Sequence, residues 1–333
     1  MKITIEGRSA IVPDFLLGGV ARAGTTSLYH HLNHAPGVFM SPEKEPHFFL
    51  FRDEPAFSED DRGRRPAMYI TYALERYLDQ FTGAQPADLV GEASSWYLYG
   101  GEKTIGNIRR LYGRDARRVK IIFILRNPVE RAWSQFCLKK NRGEESLTFA
   151  EAVRPDVVQD RQARRCSPVF DYLGLSLYSR KLAAFLESFD AVKVILFDDL
   201  QKDPARTLTD LYGFLGLEPP SEPPQAMRLN TSGMPRGPVA GMLSRLMFRP
   251  NPLKSVVKNF FPRSVRSRLR QEMGTRIYKE AVLDAPLRRE LADFFRDDVL
   301  RLEKIIGRDL GAWIREPSLA EAHSEGTPVP GAR

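Results

Sequence analysis

Gly19 and Gly24 stand five residues apart in the stretch Pro13–Ser27, PDFLLGGVARAGTTS, and three hydroxyls, Thr25, Thr26 and Ser27, follow the second glycine. A glycine-rich turn from a strand into a helix offers an anion backbone N–H groups and the positive end of the helix, and the hydroxyls add donors. The spacing nearly fits the phosphate-binding pattern G-x-x-x-x-G-K-[ST], but Thr25 occupies the lysine position and the cation of the loop is Arg22. In nucleoside triphosphatases that lysine holds the β- and γ-phosphates, and a hydroxyl and an aspartate hold Mg²⁺. Here the most strand-like run, Val119–Leu125, ends in Arg126 rather than an aspartate. These residues disfavour metal-assisted ATP or GTP chemistry and predict a ligand with a terminal anion bound without metal.

A second cluster is ILRNPVERAWSQF, Ile124–Phe136. Arg126 sits just past a buried strand and is suited to bidentate anion binding, and Ser134 on the following helix offers a hydroxyl to the same group. The alternative is an ion pair between Arg126 and Glu130. Two anion sites at the ends of two strands imply a ligand with two separated anionic groups. A third cluster, Lys44-Glu45-Pro46-His47, holds two groups able to take a proton. Histidine titrates near neutrality and a glutamate is raised by burial, so either is chemically competent. His30, His31 and His34 lack an HExxH glutamate and a second ligand cluster, so no metal site is expected.

These residues must be positioned by alternating strands and helices. Strands are expected at Ile11–Gly19, near Met40, and at Leu89–Glu92, Val119–Leu125 and Val192–Phe197. Helices are expected at Thr25–Asn33, Tyr72–Phe81, Lys103–Tyr112, Val129 to about Lys140, Leu175–Phe189 and Pro204–Leu215. Continuous apolar strands separated by helices predict an α/β fold, a mainly parallel central sheet with helices on both faces, and ligands beyond the carboxyl ends of the strands.

The 333 residues carry a formal charge of +8, which favours anionic partners. Two cysteines, Cys137 and Cys166, make neither a disulfide framework nor a four-ligand zinc site, so a cytoplasmic location is expected. No apolar run reaches the ~18–20 residues that span a membrane, and the N-terminus lacks a signal-peptide pattern. Phe51–Arg65 reads as a loop and Glu218–Gln225 as a linker. Gly241–Arg270 carries eight Lys/Arg and no Asp/Glu, and reads as a solvated basic face or as a surface for an anionic acceptor or a peripheral membrane contact. Residues 1–315 read as a single domain containing this basic helical segment, with a disordered tail at 316–333.

The loop VARAGTTSLYHHL, the segment KEPHFF at Lys44–Phe49 and ILRNPVERAWSQF together resemble the sulfotransferases that use 3′-phosphoadenosine 5′-phosphosulfate (PAPS), most of all the heparan-type and related bacterial branch. The likeness runs on through Tyr178, FDDLQKDP, LNTSGMPRGP and LEKIIGRDLGAW, and covers most of residues 11–313. The resemblance implies a P-loop NTPase-like three-layer fold and PAPS as co-substrate, with no metal. It implies that Arg22, Ala23, Gly24, Thr25, Thr26 and Ser27 hold the 5′ end of PAPS, that Arg126 and Ser134 bind the 3′-phosphate, and that Arg236 and Gly237 make a late cofactor contact. It places the base at Glu45, with His47 the alternative, and gives Arg22, where the family usually has lysine, electrostatic duty at the leaving group. Lys44 is either a surface lysine or an acceptor contact. In several heparan-type enzymes a lysine follows the glutamate of GEASSWYL; here Ala93 stands there, leaving Glu92, Ser94 and Ser95 to line the site. The implied acceptor is a hydroxyl on a carbohydrate or glycolipid, with no nucleic acid partner. The rival readings are a P-loop small-molecule kinase and a non-enzymatic basic module for glycans or membranes.

Overall fold

The apolar runs build the sheet. In the computed structural model, which describes residues 1–5, 7–53, 71–219, 233–235, 278–280 and 282–315, the strands β1 (Lys2–Ile5) and β2 (Arg8–Ile11) form an antiparallel hairpin. The strands β3 (Phe15–Gly19), β4 (Val38–Met40), β5 (Leu89–Ala93), β6 (Lys120–Leu125) and β7 (Val192–Leu196) form one parallel sheet in the order β4-β5-β3-β6-β7. All of β3 and all of β6 except Lys120 are buried, as expected of central strands covered on both faces. Phe15 pairs with Gly91 on one side and Lys120 on the other, and Ile121 pairs with Val192.

The helices are α1 (Thr25–Asn33), α2 (Phe48–Phe51), α3 (Leu74–Asp79), α4 (Tyr97–Gly100), α5 (Glu102–Tyr112), α6 (Pro128–Asn141), α7 (Phe149–Ala152), α8 (Pro155–Ala163), α9 (Ser179–Ser188), α10 (Phe197–Lys202), α11 (Pro204–Leu215) and α12 (Ala285–Ile306). Helices pack on both faces of the sheet, the P-loop-like α/β arrangement expected from the sequence. Among the described residues no helix is long and apolar enough to cross a membrane.

Three boundaries differ from the sequence reading. The expected strand Ile11–Gly19 is two strands, because Val12-Pro13-Asp14 interrupts it: Pro13 has no N–H, and the Asp14 carboxylate accepts from Val90 N at 2.8 Å to start the β3–β5 pairing. The expected helix Leu175–Phe189 begins at Ser179, after a 3₁₀ turn at Gly174–Ser176. Phe197 opens α10 instead of ending β7. The hairpin β1–β2 was not read, because four residues of mixed polarity carry too short a period-2 signal. The segments 54–65, 220–225, 241–270 and 316–333, with Arg236 and Gly237, lie outside the described residues.

One buried carboxylate ties the far end of the chain to the sheet. Asp298 on α12 accepts from Tyr178 N at 2.8 Å and from Ser179 N and Oγ at 3.2 and 2.6 Å, satisfying the first amides of α9. Asp298→Ala leaves these buried donors unpaired. We expect a loss of about 3 kcal/mol of stability in urea unfolding, with Asp298→Asn losing less.

Candidate active site

The carboxyl ends of β3, β4, β5 and β6 face one edge of the molecule, and the loops that leave them carry the candidate residues. The β3 loop enters α1 through Gly24, whose φ of 100° is left-handed and whose helix has no side-chain N-cap. The positive φ favours glycine at this position, and a Cβ there would come to 3.3 Å from the Leu200 side chain. Ala23 and Thr25 are buried, whereas Thr26 is exposed and Ser27 half-buried, so the hydroxyls accessible to a ligand are those of Thr26 and Ser27. Arg22 itself has a positive φ of 72°, uncommon for a side-chain-bearing residue and here held at a site. Its Nε donates to Ser134 Oγ at 2.9 Å, and Arg126 Nη1 donates to the Arg22 carbonyl at 3.1 Å. The two anion positions read separately in the sequence are thus joined directly.

Arg126 follows β6, lies 4.8 Å from the ring centre of Phe197, and has its carbonyl held by Tyr178 Oη at 3.0 Å. Asn127 caps α6, its Oδ1 accepting from Val129 N at 3.0 Å, and Pro128 fills the first helical position. Arg131, one turn before Ser134, is fully buried; its Nε donates to Ser176 Oγ and its Nη2 to the Tyr172 carbonyl, both at 2.5 Å, and its Nη1 has no partner among the described residues. Arg131 was not singled out from the sequence; an arginine on the helix face that carries Ser134 was the available signal.

Among the described residues Arg22, Arg126, Arg131 and Arg142 form no ion pair. The carboxylates that act on Arg126 and Arg131 hold other partners: Glu130 pairs with Arg288 at 2.5 Å rather than with Arg126, Asp198 accepts from Trp313 Nε1 at 2.8 Å, and Asp171 accepts from Tyr99 Oη at 3.1 Å. Burial, then Arg126 and Arg142, push the Arg22 guanidinium down to about 10, and burial, aided by Arg126 and opposed by Tyr178, Asp171 and Tyr172, pushes Arg131 down to about 10. Buried guanidiniums with no ion-pair partner among the described residues suit this edge to an anion.

The second half of the site is built on the loop after β4. Glu45 N donates to the Ala93 carbonyl at 2.9 Å, and Thr71 N donates to the Pro46 carbonyl at 2.9 Å. Glu45 and His47 both have positive φ, 68° and 52°. Glu45 Oε2 accepts from Ser95 N and Ser95 Oγ, each at 2.8 Å, and lies 3.2 Å from His47 Nε2; Oε1 meets the Lys44 ammonium. His47 is buried, stacked on Trp96 at 4.2 Å, and its Nδ1 has no partner among the described residues. Burial pushes the His47 imidazole down to about 4, so it is neutral near pH 7 and Nε2 carries the proton given to Glu45. Against the effect of burial, Lys44, His47 and Ser95 hold the Glu45 carboxyl at about 2.

This geometry can be set beside known proteins. A profile of the Sulfotransferase family matches residues 13–221. The chain belongs to that family. The bifunctional heparan sulfate N-deacetylase/N-sulfotransferase 2 of Bos taurus is 23% identical over 322 residues, which are 92% of this chain and 31% of that protein. Carbohydrate sulfotransferase 15 of Homo sapiens is 24% identical over 267 residues, 66% of this chain and 46% of that protein. The chain therefore spans less than half the length of these curated relatives. A crystal structure of a sulfotransferase from Alicyclobacillus acidocaldarius aligns with a TM-score of 0.68 at 27% identity, covering 92% of this chain and all of that one.

Behind Glu45 this sulfotransferase-family chain buries a second carboxyl. Glu92 on β5 is fully buried; its Oε2 accepts from Tyr97 Oη at 2.7 Å and Tyr77 Oη at 3.3 Å, and its Oε1 has no partner among the described residues. Burial raises it to about 7, against the hydrogen bonds of Ser94, Tyr97 and Tyr77. Its raised value means that its contribution to stability is complete below about pH 4.5 and is lost as pH rises through about 7. Glu92→Gln keeps an acceptor for the tyrosines and cannot ionise. We expect the variant to gain stability relative to the parent between about pH 5 and pH 8, measured by denaturant unfolding. At the arginine edge, sulfate at ten times its Kd is expected to stabilise the protein by about 1.4 kcal/mol over chloride of equal ionic strength. Arg126→Gln is expected to abolish most of that gain in a thermal melt.

Proposed function

We propose that the protein transfers the sulfuryl group of PAPS to an acceptor hydroxyl, on a carbohydrate or glycolipid, with Glu45 as general base. The observation that carries this reading is the juxtaposition, at one sheet edge, of arginines without counter-ions and a carboxylate oriented by Ser95 and His47. A ligand with separated anionic groups fits the first half, and the unpaired Nη1 of Arg131 and the uncapped N-terminus of α1 support that reading. The names of the curated relatives support a carbohydrate as the acceptor.

When bound, PAPS would supply an activated sulfuryl group on a phosphate leaving group. Arg126 and Ser134 would hold its 3′-phosphate, and Arg22, Thr26 and the amides of the β3–α1 loop its 5′ end, with Arg22 offsetting charge that develops there. Glu45 takes the proton of the acceptor hydroxyl. His47, buried and neutral, presents no ring nitrogen to an acceptor; it orients Glu45 as the partner of Oε2. Little covalent work falls to the protein, so positioning and electrostatics carry the rate.

Calorimetry tests the reading directly: adenosine 3′,5′-bisphosphate should bind in the presence of a chelator, and binding confined to ATP with Mg²⁺ would overturn the proposal. Glu45→Gln is expected to lower kcat by about 10²–10⁴ while leaving the bisphosphate Kd unchanged. Full turnover in that variant would remove Glu45 from the role of base.

A further inference from the structure

The two oxygens of Glu45 are held in different ways. Oε2 is fixed by Ser95 N, by Ser95 Oγ and by His47 Nε2, all on buried or backbone groups. Oε1 meets only Lys44, whose ammonium has no other partner among the described residues. Lys44 and Glu45 are each partly exposed, 21% and 27%, so this contact lies at the surface of the site. The neighbouring Glu43 does not compete for Lys44, because it faces Arg76 at 3.2 Å and Thr71 at 3.5 Å.

Oε1 is therefore the oxygen open to an acceptor proton, and Lys44 covers it. An ammonium on a four-carbon stem with one partner is easily moved, whereas the Oε2 donors are not. The other charged or titratable groups facing Glu45 are His47 on its own segment and Glu92 on β5. Ala93, whose carbonyl holds Glu45 N, adds no charge. Lys44 is thus the cation at this end of the site that is free to change partners.

Resting on the sulfotransferase reading, we propose that Lys44 is a movable counter-ion, which covers Glu45 Oε1 in the free protein and turns onto the sulfuryl oxygens of the donor when it binds, uncovering the base. The arrangement keeps Glu45 a poor base until a donor is present. It also gives the protein a cation that senses the sulfuryl group rather than the nucleotide. A carboxylate relieved of a neighbouring ammonium is more basic, because an adjacent opposite charge favours its ionised form.

The test uses the full chain as wild type, Lys44→Met and Lys44→Arg, titrated calorimetrically with PAPS and with adenosine 3′,5′-bisphosphate, which lacks the sulfuryl group. Lys44→Met is expected to bind PAPS about tenfold more weakly while its bisphosphate Kd stays within about twofold, and Lys44→Arg to restore most of the difference. In the pH profile of kcat/KM the acid limb of Lys44→Met should move to higher pH than in the wild type, because Glu45 must be ionised to act. Unchanged PAPS binding, equal weakening of both nucleotides, or an unmoved acid limb would overturn the role of Lys44 alone. If the wild type binds neither nucleotide, the sulfotransferase reading fails and the inference falls with it. Should Lys44→Met fail to fold, Lys44→Gln carries the same measurements.

Discussion

The link between Arg22 and Ser134, backed by Arg126 on the Arg22 carbonyl, joins the first phosphate-type loop to the helix after β6. It gathers positive charge where, among the described residues, no carboxylate forms an ion pair with Arg22, Arg126 or Arg131; Glu130 and Asp198 act on Arg126, and Asp171 on Arg131, without pairing with them. Such charge is unfavourable in a free protein unless the surrounding structure holds it in place. The surroundings do so through groups that carry no charge to the site: the Asn127 cap of α6, the Tyr178 hydroxyl on the Arg126 carbonyl, and the Ser176 and Tyr172 oxygens on Arg131. The carboxylates of the region hold partners of their own, Glu130 on Arg288 and Asp198 on the Trp313 indole N–H. Asp298 secures the start of α9, and Glu145 is shared between Arg161 and the Tyr172 hydroxyl.

The same edge holds two carboxyls whose environments drive them apart. Glu45 accepts several hydrogen bonds and faces a cation, which holds it ionised; Glu92 sits behind it among tyrosines, where burial favours the neutral acid. Divergent environments of this kind separate the roles of two carboxyls in one site. The ionised member, Glu45, is partly exposed, whereas Glu92 is fully buried. Burial raises the Glu92 carboxyl to about 7, which favours its neutral form on the acid side of neutrality.

Much of this was legible in the residues. The run VKIIFIL is β-branched and continuous, so β6 and its burial follow from pattern alone, and the glycine spacing at Gly19 and Gly24 marked the loop. Asn127-Pro128 announced the start of α6 by a capping side chain and a residue suited to the first turn. What escaped were short elements with weak periodicity, such as β1–β2 and α10, and the true start of α9, where a 3₁₀ turn imitates helical spacing.

By itself the sequence determined which chemistry the site residues can perform: a loop with arginine in place of lysine, a second arginine and serine eight positions apart, and a glutamate beside a lysine and a histidine. Those are properties of side-chain type and local spacing. Only the tertiary structure decided how they act on one another. It brought Ser134 to Arg22 and Ser95 to Glu45, contacts separated by 112 and 50 residues along the chain, and left Arg131 Nη1 without a partner among the described residues. It also made the two oxygens of Glu45 unequal. Charge state and accessibility depend on what packs around a group from distant segments, and no local pattern in the chain encodes that environment.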